Sequence, residues 1–254
     1  MSTPAPIAVQ LYSVRELLGD DFAGVVKKIA DKGYVGVEPF GLDVEKAKMQ
    51  AQVFADLGLQ VSSMHGPLPL GDDKNMVLDC MGIVGSKRVY PSASPATFAT
   101  VDSIKELCDR LNEGSAIAAE SGLTVGYHNH DWEFQPVEDT GKTGYAIMLE
   151  LLEPAVEMQI DTYWVKVGGH DPAALVSELG KRSPTLHIKD GSGDRTEPQT
   201  AVGAGIMDVP AIVQAAADSA EWLIVELDHC GTDILAAVLE SYDYLVGEGL
   251  ARGR

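Results

Sequence analysis

Eight short apolar runs alternate with eight amphipathic segments along this chain, and that alternation leaves few folds open to it. The apolar runs are 7–14 (IAVQLYSV), 34–40 (YVGVEPF), 60–67 (QVSSMHGP), 88–93 (RVYPSA), 123–129 (LTVGYHN), 156–162 (VEMQIDT), 183–190 (SPTLHIKD) and 222–228 (WLIVELD). Helix-like segments lie near 21–32, 43–57, 73–84, 97–121, 143–152, 171–180, 208–218 and 231–248. Several open on a capping residue (Asp43, Asp171 before Pro172, Asp208 before Pro210). Several close on glycine just before the next strand, as in DKGY (31–34), DLGL (56–59) and ESGL (120–123). Strands joined by helical crossovers pair in parallel, and eight such units in 254 residues predict a closed (β/α)8 TIM barrel, a single domain over 1–254. The alternative is an open doubly wound sheet. It uses fewer strands, and the first turn, LYSVRELLGDD, lacks the GxGxxG fingerprint.

A barrel concentrates its chemistry where the strands end. Here the strand ends deliver Gln10 and Tyr12, Glu38, His65, then His128, Asn129 and His130, Asp161, His187 with Lys189 and Asp190, and Glu226 with Asp228. Only the fourth strand is weak, offering Tyr90 and Ser92. Imidazoles and carboxylates converging from separate strands are costly to bury without a ligand or metal. Asp161, His187 and Glu226 close three successive strands, and this donor set suits Mn²⁺, Mg²⁺, Co²⁺ or Zn²⁺ without choosing among them. Residues two apart on a strand share a face, so His128 is placed to be the fourth ligand while Asn129 points away. His130 and Glu133 are expected on the loop above, over the substrate. His65 and Lys189 are candidate hydrogen-bond donors to sugar oxygens, and Trp132 and Trp164 candidate stacking surfaces.

Composition narrows the partners. A formal charge of −19 repels a phosphate backbone, so nucleic acid is excluded as a partner, and the HNH string at 128–130 is not a nuclease motif in this strand context. No apolar run approaches the ~18–20 residues that span a bilayer. Three scattered cysteines and a start without a basic leader lead us to expect a cytoplasmic protein. The segment VGAGIMD (202–208) is glycine-rich and precedes a helix, where many barrels bind phosphate. Lys189 and Arg15 are the only nearby cations, so the glycines are read as permitting a tight turn, and a neutral sugar, keto-sugar or cyclitol is expected.

The strand ends also resemble a known family, the sugar isomerases and epimerases with a xylose-isomerase-like barrel, which includes endonuclease IV. The resemblance rests on AVQLYSVR (8–15), GYVGVEPFG (33–41), SSMHGPL (62–68), GYHNHDWEF (126–134), QIDTYWVKVGGHDP (159–172), LHIKDG (186–191), VGAGIMDVPAIV (202–213) and VELD (225–228), and covers nearly the whole chain. The YHNHxxEF segment is similar to the branch acting on keto-sugars or glycosides. The family's metal site takes Glu, Asp, His and Glu from strands five to eight. By position this implies Asp161, His187 and Glu226, with His128 where the usual glutamate is replaced. The resemblance implies an isomerase or epimerase that moves a proton through a metal-stabilised enediolate, with Glu226 as base and Glu133, His130 or His128 as its counterpart. Glu38 is grouped with His65, Lys189 and Trp164 as substrate-binding. Two other readings stay open: a metal-dependent lyase or dehydratase on a keto-sugar or keto-glycoside, and a non-catalytic sugar-binding or partner subunit with a degenerate site. Assembly into a homo-oligomer is also left open.

Overall fold

The computed structural model describes residues 3–254, and over these the chain closes into a parallel barrel wrapped by helices. Its strands are β1 (Ile7–Gln10), β2 (Gly36–Glu38), β3, β4 (Arg88–Tyr90), β5 (Thr124–His128), β6 (Glu157–Asp161), β7 (Thr185–Ile188) and β8 (Trp222–Val225). The third strand is broken into Gln60–Val61, which pairs with β2, and Met64–His65, which pairs with β4. Nine strand segments therefore fill eight barrel positions. The ring closes where Ala8 of β1 stands opposite both Gly36 of β2 and Ile224 of β8. Every strand pair in the ring is parallel, as helical crossovers require.

Strand parity sorts the side chains into two cores. One set, including Ile7, Val9, Val37, Val125, Ile160, Leu186 and Leu223, packs outward with the helices into the main hydrophobic cluster. The other set plugs the barrel: Ala8, Trp222 and Ile224, joined by Val35 from just before β2, form a separate small cluster. Above that plug the inward positions turn polar. Gly126, at an inward position of β5, is required by packing. A Cβ there would lie 2.3 Å from Tyr90 Cε1 and 2.6 Å from the Glu157 carbonyl oxygen.

The helix boundaries follow local chemistry. Asp43, Asp171 and Asp208 each accept N–H bonds from the first turn of the helix that follows. Gly33, Gly58 and Gly122 all take positive φ where a helix hands over to a strand. The first helix begins earlier than expected, at Arg15 rather than near 21, because two helical pieces run together through a kink at Asp21. Asp21 caps the second piece by accepting from Gly24 N at 2.9 Å. The first strand is shorter than expected, since residues 11–14 coil into a 3-10 turn whose Tyr12 N donates to the Gln10 side chain. No helix among the described residues is long and apolar enough to cross a membrane.

Candidate active site

Inward parity carries Gln10, Glu38, His128, Gln159, Asp161, His187, Lys189 and Glu226 into the mouth of the barrel, and all are buried. One donor atom each from His128, Asp161, His187 and Glu226 lies within 4.8 Å of the others, drawing β5, β6, β7 and the end of β8 to one point. His65, His128 and His187 form a second convergent set. A cavity of about 510 Å³ opens above them, with His65, His128, His130, Glu226, Asp228 and Tyr12 on its wall.

Beneath the cluster, Glu38 is a hub. Its Oε2 receives Gln10 Nε2 at 2.8 Å and His187 Nε2 at 2.6 Å, and its Oε1 receives Gln159 Nε2 at 2.7 Å and the Ser63 hydroxyl. Burial alone would raise this carboxyl, but the His65 and His187 rings outweigh it and hold the value at about 2. Glu38 thus supports His187 from below and stands off the cavity wall.

Gln159 sets the state of two histidines. Because its amide NH₂ faces the Glu38 carboxylate, its Oε1 faces His65 Nε2 at 2.6 Å and His128 Nδ1 at 3.0 Å. An amide oxygen only accepts, so both ring nitrogens carry hydrogen. Burial, together with the His187, His65 and His130 rings, holds His128 well below its ordinary value, so this ring is neutral. Its Nε2 therefore presents a lone pair, 3.9 Å from Asp161 Oδ2. That tautomer is the one a metal ligand needs.

His187 is held from both sides, with Nε2 on Glu38 and Nδ1 2.7 Å from Glu226 Oε2. Burial works against its charge, but Glu226 and Glu38 overcome it and lift the ring to about 10. Burial raises Asp161 to about 6, with Lys189 and His187 pulling the other way. Asp161 Oδ1 caps the helix that begins at Thr162 by accepting from Trp164 N, while Oδ2 pairs with the Lys189 ammonium at 2.8 Å. Burial would raise Glu226, but Lys189 and His187 hold it well below the carboxylate range. A lone pair on His128, an Asp161 carboxylate oxygen facing the Lys189 ammonium and a carboxylate-backed imidazole at His187 together fit a divalent cation.

The remaining expected residues fall in different places. Asn129 turns away from the cluster and pairs with the Asp161 backbone, accepting from its N–H at 3.0 Å. His130 reaches the cavity wall, stacks on Trp132 at 4.1 Å, and has a buried Nδ1 without a hydrogen-bond partner. Glu133 does not reach the cavity. The 3-10 turn Trp132–Phe134 folds it back, where it accepts from Tyr127 Oη at 2.7 Å and His130 N at 2.9 Å, fully buried. Burial pushes its carboxyl up to about 8. Trp164 is buried with its ring 5.5 Å from Lys189 Nζ. Lys189 spends its ammonium on three carboxylates, Asp161, Glu226 and Asp228, at 2.6–2.8 Å. Ser63 and Gln159 are not among the residues the sequence points to, although Gln159 stands two positions before Asp161 on the same face; Gln10, a strand-end residue there, turns out to support Glu38.

The sequence pattern of the xylose isomerase-like TIM barrel matches residues 26–245, and the chain belongs to that family. No curated protein matches it in sequence. Among solved structures, a sugar phosphate isomerase/epimerase from Parabacteroides distasonis superposes with a TM-score of 0.84 at 23% identity, covering 99% of this chain and 96% of the other. A probable 3-DHS dehydratase from Bacillus anthracis gives 0.72 at 14% identity, covering 95% and 98%. An L-ribulose 3-epimerase gives 0.67 at 17% identity, covering 97% and 94%. At such identities the likeness is one of fold.

Proposed function

We propose that this protein is a divalent-metal-dependent sugar isomerase or epimerase that moves a proton on the carbon beside a substrate carbonyl. The observation that carries the reading is the meeting of the His128, Asp161, His187 and Glu226 donor atoms within 4.8 Å, directly under a cavity of sugar size. A divalent ion held by these four residues (Mn²⁺, Mg²⁺, Co²⁺ or Zn²⁺) supplies the Lewis-acid charge that an enediolate requires.

The chain's own groups do the rest. Glu226 lies on the cavity wall in its ionised form, as a base must. His130 is the group placed to exchange the second proton. Its ring reaches the cavity wall, and burial, helped by the Lys189 charge, lowers it to about 4 and so keeps it neutral. Glu133 acts one step removed, holding the His130 backbone N–H. His65 on the wall binds and orients the sugar, and Trp164, buried beside Lys189, backs that ammonium.

An unphosphorylated substrate is supported by the loop after β7. The N–H groups of Gly191, Gly203, Gly205 and Met207 all donate to the Asp190 carboxylate at 2.9–3.1 Å. Amides that elsewhere cradle a phosphate are here occupied by a side chain. The nearby cations are also engaged: Arg15 with the Tyr12 and Asp228 carbonyls, and Arg195 with Asp131.

The test is proton exchange. A panel of keto-sugars, aldoses and cyclitols incubated with the protein and Mn²⁺ in D₂O, followed by NMR, should show deuterium entering beside a carbonyl. Glu226→Gln should slow that exchange by ~10²–10⁴-fold, the usual worth of a general base. No exchange with any sugar would refute the isomerase reading, and undiminished exchange in the variant would remove Glu226 as base. Release of water or an aglycone would make the reaction an elimination.

A further inference from the structure

Three carboxylates at the mouth, Asp161, Glu226 and Asp228, already have a cation among them. Lys189 follows His187 by two residues, and Asp228 follows Glu226 by two, so an ammonium and a carboxylate stand on the inward face one step above two of the metal-binding side chains. Lys189 is buried with 1% of its surface exposed, and its Nζ lies 2.8 Å from Asp161 Oδ2, 2.7 Å from Glu226 Oε2 and 2.6 Å from Asp228 Oδ2. A divalent ion bonds to carboxylate oxygens at ~2.0–2.2 Å. An ion sharing Asp161 Oδ2 and Glu226 Oε2 with the ammonium would stand within about 3–4 Å of it, where a double and a single positive charge repel strongly even at an effective dielectric of ~20. Two cations on the same pair of oxygens therefore compete.

We propose that Lys189 is a built-in competitor for the cation site. Its ammonium neutralises Asp161 and Glu226 while no divalent ion is held, and withdraws to Asp228 when one arrives. This inference rests on the metal-dependent reading of the site. The geometry explains why several buried carboxylates coexist stably, since unpaired buried charge is expensive. It also provides the route of exchange: Lys189 is itself buried, and Asp228 offers it a partner nearer the rim, with 26% of its side chain exposed. Asp228 is itself fixed by Gln199, which donates Nε2 to its Oδ2 at 3.1 Å and accepts its N–H at 2.8 Å. The consequence is a site tuned to weak, exchangeable metal binding rather than permanent occupancy.

The experiment is calorimetric titration of the purified protein with MnCl₂, comparing wild type with Lys189→Met. The variant is expected to bind one Mn²⁺ per chain at least tenfold more tightly, and to gain more in melting temperature from Mn²⁺. Wild-type binding with equal or weaker affinity in the variant overturns the competitor role and leaves the metal reading intact. Absence of binding by both proteins overturns both. Should Lys189→Met not fold, Lys189→Gln removes the charge while keeping a hydrogen-bonding head, with the same expectation. A crystal structure of the wild type with Mn²⁺ gives a second readout. Nζ should stand beyond about 3.5 Å from Asp161 and Glu226 while keeping Asp228. An ammonium still bonded to all three beside the bound ion contradicts the proposal.

Discussion

Glu133→Gln separates a carboxylate that titrates in the working range from one that serves only as a clasp. The wild-type carboxyl is fully buried, accepts from Tyr127 Oη and His130 N, and is raised by burial from 4.5 to about 8. Since the folded value lies above the unfolded one, the native state keeps a proton that the unfolded chain releases from about pH 4.5 upward. Stability from this group is therefore complete below pH 4.5 and declines until about pH 8. At 1.36 kcal/mol per unit the loss is about 3 kcal/mol by pH 7 and about 5 kcal/mol above pH 8. Glutamine is the neutral isostere. Its oxygen accepts the His130 N–H and its NH₂ donates to the Tyr127 oxygen, so it keeps the clasp without the titration. Melting temperatures of the two proteins should be close at pH 5. At pH 8 the variant should melt higher by ~10 °C, at ~2–4 °C per kcal/mol for a chain of this size. A difference in melting temperature that is the same at pH 5 and pH 8, or a variant less stable at both, would refute the reasoning.

Three other outcomes follow from the same geometry. Asp161→Asn should abolish Mn²⁺ binding measured by calorimetry while circular dichroism shows a folded barrel; full metal stoichiometry would free Asp161 from the ligand set. Mn²⁺ affinity should rise with pH, about tenfold per unit between roughly pH 6 and 10, because the ion displaces a proton from His187, whose ring is held at about 10; a flat profile over that range would contradict the protonated His187. Gly126→Ala should destabilise the barrel by ~1–3 kcal/mol or more in urea denaturation, since its Cβ would stand 2.3 Å from the Tyr90 ring; an unchanged midpoint would mean that the ring moves freely.

The barrel was legible in the sequence because strand and helix periods alternate without interruption, and because caps and C-terminal glycines mark the joins. The convergence of His128, Asp161, His187 and Glu226 was legible because a barrel gathers its strand ends at one mouth, and the period of two favours His128 over Asn129. Less of the supporting layer could be read. Gln159 and Gln10 occupy inward positions, and their role shows only in their pairing with Glu38. Glu133 escaped because a 3-10 turn, invisible to periodicity, rotates it from the mouth onto Tyr127. Lys189 was read as a sugar contact, and its commitment to three carboxylates depends on cross-strand distances that no single segment encodes. The split of the third strand likewise reflects its two neighbours, β2 and β4, each pairing with a different half.

The claim on which the account depends is that one cation site is shared by strands five to eight. Anomalous diffraction at the manganese edge from crystals grown with MnCl₂ addresses it directly. One peak per chain is expected, ~2 Å from His128 Nε2, His187 Nδ1 and an oxygen each of Asp161 and Glu226. A peak elsewhere, or none at millimolar Mn²⁺ and pH 8, would contradict it.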